Sequence, residues 1–166
     1  MKTAVFYEHI LEGAKQSGKS VAELMEKCAS WNIRGIEIGD ALLRENKEEI
    51  KELLEKNHMQ VSCSNAFYDF GHNPDAAQGK KQIDLAEEFG VSKVLIIPGE
   101  LSKNEAAALN ALSASKAQTD SYMSENASIR NMVQALKELV AYGKEKNILV
   151  TLEDFDGPVQ PFARMY

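Results

Sequence analysis

The chain has 166 residues, 44% of them hydrophobic and 27% charged, with a formal net charge of -6. That length carries a sizeable core without disulfide or metal staples, and the composition is that of an ordinary globular protein. The acidic balance and the lack of any Lys/Arg block argue against nucleic acid or an anionic membrane as partner. No run approaches the ~18 consecutive apolar residues of a membrane span, and Glu8, His9 and Glu12 interrupt the segment where a signal peptide would be apolar. Cys28 and Cys63 lack metal-ligand spacing and read as reduced thiols of a cytoplasmic protein.

Short β-rich runs alternate with longer amphipathic ones. TAVFY (3 to 7) reads as a strand, and VAELMEKCASW (21 to 31) as a helix opened by Ser20 as N-cap. IRGIEIG (33 to 39) is a second strand. ALLRENKEEIKELLEKN (41 to 57) follows as one helix with Asp40 as its cap and Ile50, Leu53 and Leu54 at helical spacing. MQVSCSNAF (59 to 67) is the third strand. DAAQGKKQIDLAEEFG (75 to 90) is its helix, with Pro74 near the start and Gly90 past the end. SKVLIIPG (92 to 99) is the fourth strand, IRNMVQALKELVAYGKEKN (129 to 147) a helix, and ILVTLED the fifth strand. The Ala/Ser-rich stretch 104 to 126 reads either as a mobile loop or as an extra helix over the strand tips.

Strand starts recur about every thirty residues, the size of a βαβ unit. Strict alternation predicts a parallel sheet covered by helices, either an open doubly wound sheet or part of a (β/α)8 barrel. In both, function gathers at the carboxyl ends of the strands. Those ends here carry Tyr7-Glu8-His9, Glu37, Gly39-Asp40, Ser64-Asn65, Glu100 and Glu153-Asp154. Alternation places Ile36 and Ile38 on one face and Glu37 on the other; Val150 and Leu152 likewise oppose Thr151 and Glu153. A carboxylate buried unpaired under helices costs several kcal/mol. Glu37 and Glu153 therefore belong on the side away from the helices, which favours the barrel, where that side is the interior near the mouth. The alternative for Glu37 is a structural ion pair with Arg34 or Lys93, and for His9 a helix cap or an idle surface position. Asp154 and Asp156 read as turn formers before Gly157-Pro158. No G-x-G-x-x-G, P-loop or G-x-S-x-G pattern competes.

VFYEHI, GIEIGD, VLIIPG and above all VTLEDFDGP resemble the sugar phosphate isomerase/epimerase proteins with the xylose isomerase-like TIM barrel. The resemblance runs the length of the chain but reaches only the first five βα units, implying an incomplete parallel (β/α) barrel as one partial domain. It implies that Glu153 is a divalent-metal ligand (Mn, Mg or Zn) and an acid/base group. His9, Glu37 and Asn65 would then hold the hydroxyls of a sugar or sugar phosphate. The reaction implied is proton transfer next to a carbonyl, giving isomerisation or epimerisation. The remaining ligands of such a site come from strands six to eight, so the expectation is the N-terminal portion of a longer protein. Such a portion would bind metal weakly or not at all, would be inactive, and would self-associate through its open sheet edges. An inosose dehydratase-like lyase on the same scaffold, or a non-catalytic half-barrel that only associates with another chain, stands as the alternative.

Overall fold

The computed structural model describes residues 3–153. Five strands form one sheet: β1 (Ala4–Phe6), β2 (Gly35–Gly39), β3 (Gln60–Phe67), β4 (Lys93–Ile97) and β5 (Leu149–Leu152). All neighbours are parallel and the order is β1-β2-β3-β4-β5. A doubly wound sheet would put an early strand inside the order. The sequential order is that of a barrel wall. Asp154, Asp156 and the Gly157-Pro158 turn lie outside the described residues.

Burial separates the two faces. Ile36, Ile38, Val61, Val94 and Ile96 are buried in a single apolar cluster with helix residues such as Ile83, Met132 and Leu139. Phe6, Phe67 and Leu149 instead remain exposed on the other side, at 44%, 72% and 62%. Between the strands run α1 (Tyr7–Ser17), α2 (Val21–Ser30), α3 (Asp40–Glu45), α4 (Lys47–Asn57), α5 (Ala77–Glu88), α6 (Lys103–Ala111), α7 (Lys116–Glu125) and α8 (Ala127–Glu145). Ser20 caps α2 as expected: its hydroxyl accepts from the Glu23 N–H at 3.2 Å and the Glu23 carboxylate accepts from the Ser20 N–H at 2.7 Å.

Three expectations need correction. β1 runs straight into α1 with Phe6 at the N-cap and no side-chain cap, so Glu8 and His9 belong to a helical first turn and not to a strand end. The helix expected over 41 to 57 is two helices, α3 and α4. They break at Asn46, whose backbone leaves helical geometry (φ -117°) while its amide donates to the Leu42 carbonyl at 3.0 Å. A side chain bonding back to the turn before it offers the backbone an alternative to helix. Asp40 is the first residue of α3 and pairs with Arg44 at 2.6 Å; Gly39 is the cap.

The stretch 104 to 126, open between loop and helix in the sequence, is mostly α6 and α7. Ser102 and Glu105 form a capping box at the start of α6. The Glu105 carboxylate also accepts from the Asn126 amide at 3.0 Å and the Ser128 hydroxyl at 2.8 Å. One side chain thus ties the start of α6 to the start of α8. The hydroxyl and backbone donors of Ser102, with Asn126 and Ser128, hold its carboxyl well down, at about 2. A depressed folded-state value stabilises above the ordinary 4.5 and is lost as pH falls through about 2. Glu105→Gln should therefore cost about 1–2 kcal/mol at pH 7. The difference from wild type should shrink between pH 4.5 and 2 in urea unfolding; a pH-independent difference would contradict the latch.

Candidate functional site

Pairing decides which side chains share the open face. Glu37 lies opposite Phe6 of β1 and Cys63 of β3, and Gly39 opposite Asn65. The register of β2 on β3 slips by one residue after Ile36, so that Ile36 faces Val61 but Glu37 faces Cys63. Ser62 is the extra residue of this bulge, and its hydroxyl donates to the Ile36 carbonyl at 2.8 Å. Val61 and Ser64 both reach the helix layer, three residues apart, as the core position of Val61 and the complete burial of Ser64 opposite Val94 indicate. Asn65 consequently lands on the open face. Its amide donates to the Glu37 carboxylate at 3.4 Å.

Asn65 also pairs with Leu95, which pairs with Thr151, so the same face continues to Glu153 two residues on. Burial pushes the Glu37 carboxyl above its ordinary value; the Asn65 amide pulls it down, Glu153 pushes it up, Lys93 pulls it down and Glu8 pushes it up. Burial, followed by the charge of Glu37, also pushes the Cys63 thiol up to about 11, so this cysteine is no thiolate nucleophile at neutral pH. Among the described residues Glu37 makes no ion pair. The structural pair with Arg34 or Lys93 is therefore not formed there: Arg34 instead donates to the Asn57 carbonyl at 3.4 Å.

Of the four residues singled out in the sequence, Glu37 and Asn65 are hydrogen-bonded, and Glu153 follows on the same face, its charge adding to the rise of the Glu37 carboxyl. His9 does not join them by any described contact; it is exposed, with its ring edge-on to Phe6 at 5.4 Å. Its neighbour Glu8 takes the inner place, accepting the Gly39 N–H at 2.9 Å. A Cβ on Gly39 would stand 3.1 Å from that carboxylate oxygen, a tight contact to which the Glu8 side chain would have to yield. Cys63 as a neighbour of Glu37 and the exposed Phe67 are what sequence reading passes over; it names Glu8 only as a strand-end group and Lys93 only as an ion-pair partner. The alternation of β2 and β4 marks Lys93 as an outward position; nothing in the sequence marks the bulge that sets Cys63.

A divalent ion takes three or more protein donors. Among the described residues no three His, Cys, Asp or Glu side chains gather closely enough to hold one. Glu37, already bonded to Asn65, and Glu153 fall short of that donor set. Nor is any described helix long and apolar enough to cross a membrane.

The family model of the xylose isomerase-like TIM barrel matches residues 25–163, most of the chain. The chain belongs to that family. No curated protein matches the sequence. Among solved structures, xylose isomerase-like folds recur: a D-psicose 3-epimerase crystallised in the presence of D-fructose has a TM-score of 0.55 at 9% identity, covering 90% of this chain and 51% of its own. A xylose isomerase domain protein from Planctomyces limnophilus gives 0.53 at 12% identity, with 99% and 59% covered. A mannonate dehydratase from Streptococcus suis serotype 2 gives 0.56 at 15% identity, with 100% and 61% covered. At these identities the likeness is one of fold. The xylose isomerase-like chain spans about half to three fifths of the length of these structures, and its five described strands form an incomplete barrel wall.

Glu37 makes a stability prediction. Its folded-state value is raised above 4.5, so ionising it costs more in the folded chain than in the unfolded one. The cost is absent below pH 4.5 and develops as pH rises through the folded-state value. Glu37→Gln, which keeps the volume and the Asn65 partner, should therefore raise the urea midpoint at pH 7 and leave it unchanged at pH 4. A lowered midpoint at pH 7 would mean that the carboxylate is a structural anchor.

Proposed function

We propose that this xylose isomerase-like chain supplies part of a sugar-binding barrel mouth at which a proton is moved at the carbon next to a carbonyl. The observation that carries the reading is the half-buried Glu37 carboxyl on the open face, bonded by the Asn65 amide and sharing that face with Glu153. Two carboxyl groups in unlike surroundings suit opposite halves of a proton transfer. Glu153, exposed at the end of β5, is the base that removes the carbon-bound proton. When a bound sugar buries it further, Glu37, already raised by burial, takes up a proton and donates a hydrogen bond to the oxygen on which charge develops. Asn65 orients Glu37 and reaches a neighbouring hydroxyl, and His9 stands at the rim. Return of the proton to the opposite face or to the adjacent carbon gives epimerisation or isomerisation.

The epimerase and isomerase-domain relatives support this reading, and the mannonate dehydratase relative supports a second. In a dehydration the protonated Glu37 would release a β-hydroxyl as water after the same abstraction. A divalent ion (Mn, Mg or Zn) on Glu153 would stabilise negative charge developing on the substrate, but it needs donors beyond the described residues. Whether the sugar carries a phosphate separates the substrate classes.

The direct test is exchange, which needs only the first half-reaction. The chain is incubated with D-fructose in D2O, and loss of the carbonyl-adjacent C–H signal is followed by NMR. Although full turnover is not expected of this chain, wild type should carry out this first half-reaction above the buffer rate, and Glu153→Gln should lower the excess by about 100-fold or more. Equal exchange in the variant, or none in wild type, would overturn the reading. Among the described strands β1 and β5 each pair on one side only, and open parallel edges are templates for pairing. We propose that two copies associate through these edges; a monomer in sedimentation at micromolar concentration would contradict that.

A further inference from the structure

A glutamine lies hidden on the helix side of the sheet. Gln82 of α5 is completely buried, next in sequence to Ile83 of the apolar cluster. Burying a primary amide is costly unless its hydrogen bonds are made. A methionine of similar length would fill the same space without that demand. The place of an amide here is therefore explained by what the amide holds.

Its three described hydrogen bonds run to β3, β4 and the residue just past β3. Nε2 donates to the Ser64 carbonyl at 3.0 Å and to the Leu95 carbonyl at 3.4 Å. Oε1 accepts from the Tyr68 hydroxyl at 3.0 Å. Carbonyl oxygens can only accept, so the amide fits one way round, with its NH2 toward the strands. Tyr68 is itself held in place: its N–H donates to the Ile97 carbonyl at 2.9 Å, and its ring stacks on Phe70 at 4.7 Å. Burial, followed by the charge of Asp40, pushes the Tyr68 hydroxyl well up, so it stays a donor across the neutral range.

The two carbonyls belong to one rung of the sheet. The Ser64 carbonyl is part of the peptide that carries the Asn65 N–H, and Leu95 is the residue paired with Asn65 across β3 and β4. One amide thus fastens both sides of the rung from which Asn65 departs. On the other face the Asn65 amide meets Glu37 at 3.4 Å, near the outer limit of a hydrogen bond. A small rotation of that peptide plane would part them. The bulge at Ser62 decides which face Asn65 takes; the bonds from Gln82 fix its angle.

We propose that Gln82 is a positioning residue for the open-face site: from the helix side, steadied by Tyr68, it holds the Asn65 rung so that the Asn65 amide reaches the Glu37 carboxylate. The use made of Glu37 rests on the functional reading above; the chain of contacts from Tyr68 through Gln82 and Asn65 to Glu37 does not. A site is kept in working geometry by such support behind the residues that meet the substrate.

A 13C titration of the Glu37 carboxyl tests this without any sugar. Glu153, Lys93 and Glu8, the charged groups acting on Glu37 from the end of β5, from β4 and from α1, are the same in every variant, as is the Cys63 thiol opposite it. The Asn65 amide pulls Glu37 down, so Asn65→Ala should raise the Glu37 titration midpoint. Gln82→Met removes both donors and keeps the length; it should reproduce most of that rise. The double variant should rise no further than Asn65→Ala alone, as expected of residues acting through one another. Leu139→Val, which loosens the packing of α8 on Gly79 of α5, should leave the midpoint in place. If Gln82→Met does not fold, Tyr68→Phe decides: it removes only the hydroxyl that holds Gln82, and should raise the midpoint by less. An unmoved midpoint in the deciding variant would overturn the inference and leave Gln82 a filler of buried carbonyls. So would a double variant whose rise is the sum of the singles, or a Leu139→Val rise as large as that of Gln82→Met. Each of those results leaves the proton-transfer reading standing. Absence of deuterium exchange in wild type would overturn that reading and leave the role of Gln82 untouched.

Discussion

Between β2 and β3 the parallel ladder slips by one residue, and the Ser62 hydroxyl bonded to the Ile36 carbonyl holds the slip in place. Side chains in a strand alternate, so a regular β3 would send Val61, Cys63 and Asn65 to one face together. Val61 is in the helix-side core. Without the bulge Asn65 would follow it there and Glu37 would lose its hydrogen-bond partner. The extra residue resolves the conflict between a strand that must bury Val61 and a strand tip that must present an amide. Bulges recur beside active sites for this reason: they re-aim one side chain without disturbing the core on the other side.

The remainder of the site follows from a division of labour between the two faces of the sheet. Branched apolar residues of β2 and β4 fill the helix-side core completely, and the complementary positions are freed for polar groups. Those positions converge at the carboxyl edge because every strand is parallel. Glu37 is half-buried and its carboxyl is raised chiefly by that burial, so ionising it lowers stability at neutral pH. Stability given up at such a carboxyl fits the proton-transfer role proposed for it. Outside the edge, carboxylates are spent on structure: Glu8 fixes the β2 tip and Glu105 fixes the α6–α7 excursion.

How much of this is legible in the sequence depends on how local each cause is. Strands β2, β4 and β5, and the outward direction of Glu37 and Glu153, follow from dense apolar runs and simple alternation. The capping box of α2 is readable from Ser20 and Glu23, and the same pattern at Ser102 and Glu105 announces α6 inside a stretch otherwise too poor in large apolar residues to look ordered. Helix α1 carries no such mark, since Phe6 caps it without a side-chain bond; His9 therefore reads as a strand-end group when Glu8 has that place. The break at Asn46 and the bulge at Ser62 come from single hydrogen bonds to backbone carbonyls. Periodicity contains neither. The face of Asn65 is a tertiary fact, set by pairing with β2 and β4 and invisible to any pattern within β3.

The account rests on Glu37 and Glu153 sharing one electrostatic environment across the open face, three strands apart in the sheet. A 13C NMR titration of the Glu37 side-chain carboxyl, in wild type and in Glu153→Gln, reads that coupling without requiring turnover or a bound ligand. Removing the negative charge of Glu153 should lower the Glu37 value, moving its titration toward that of an ordinary carboxyl. An identical Glu37 curve in the two proteins would mean that the carboxylates do not meet and that the proposed proton-transfer pair is not formed.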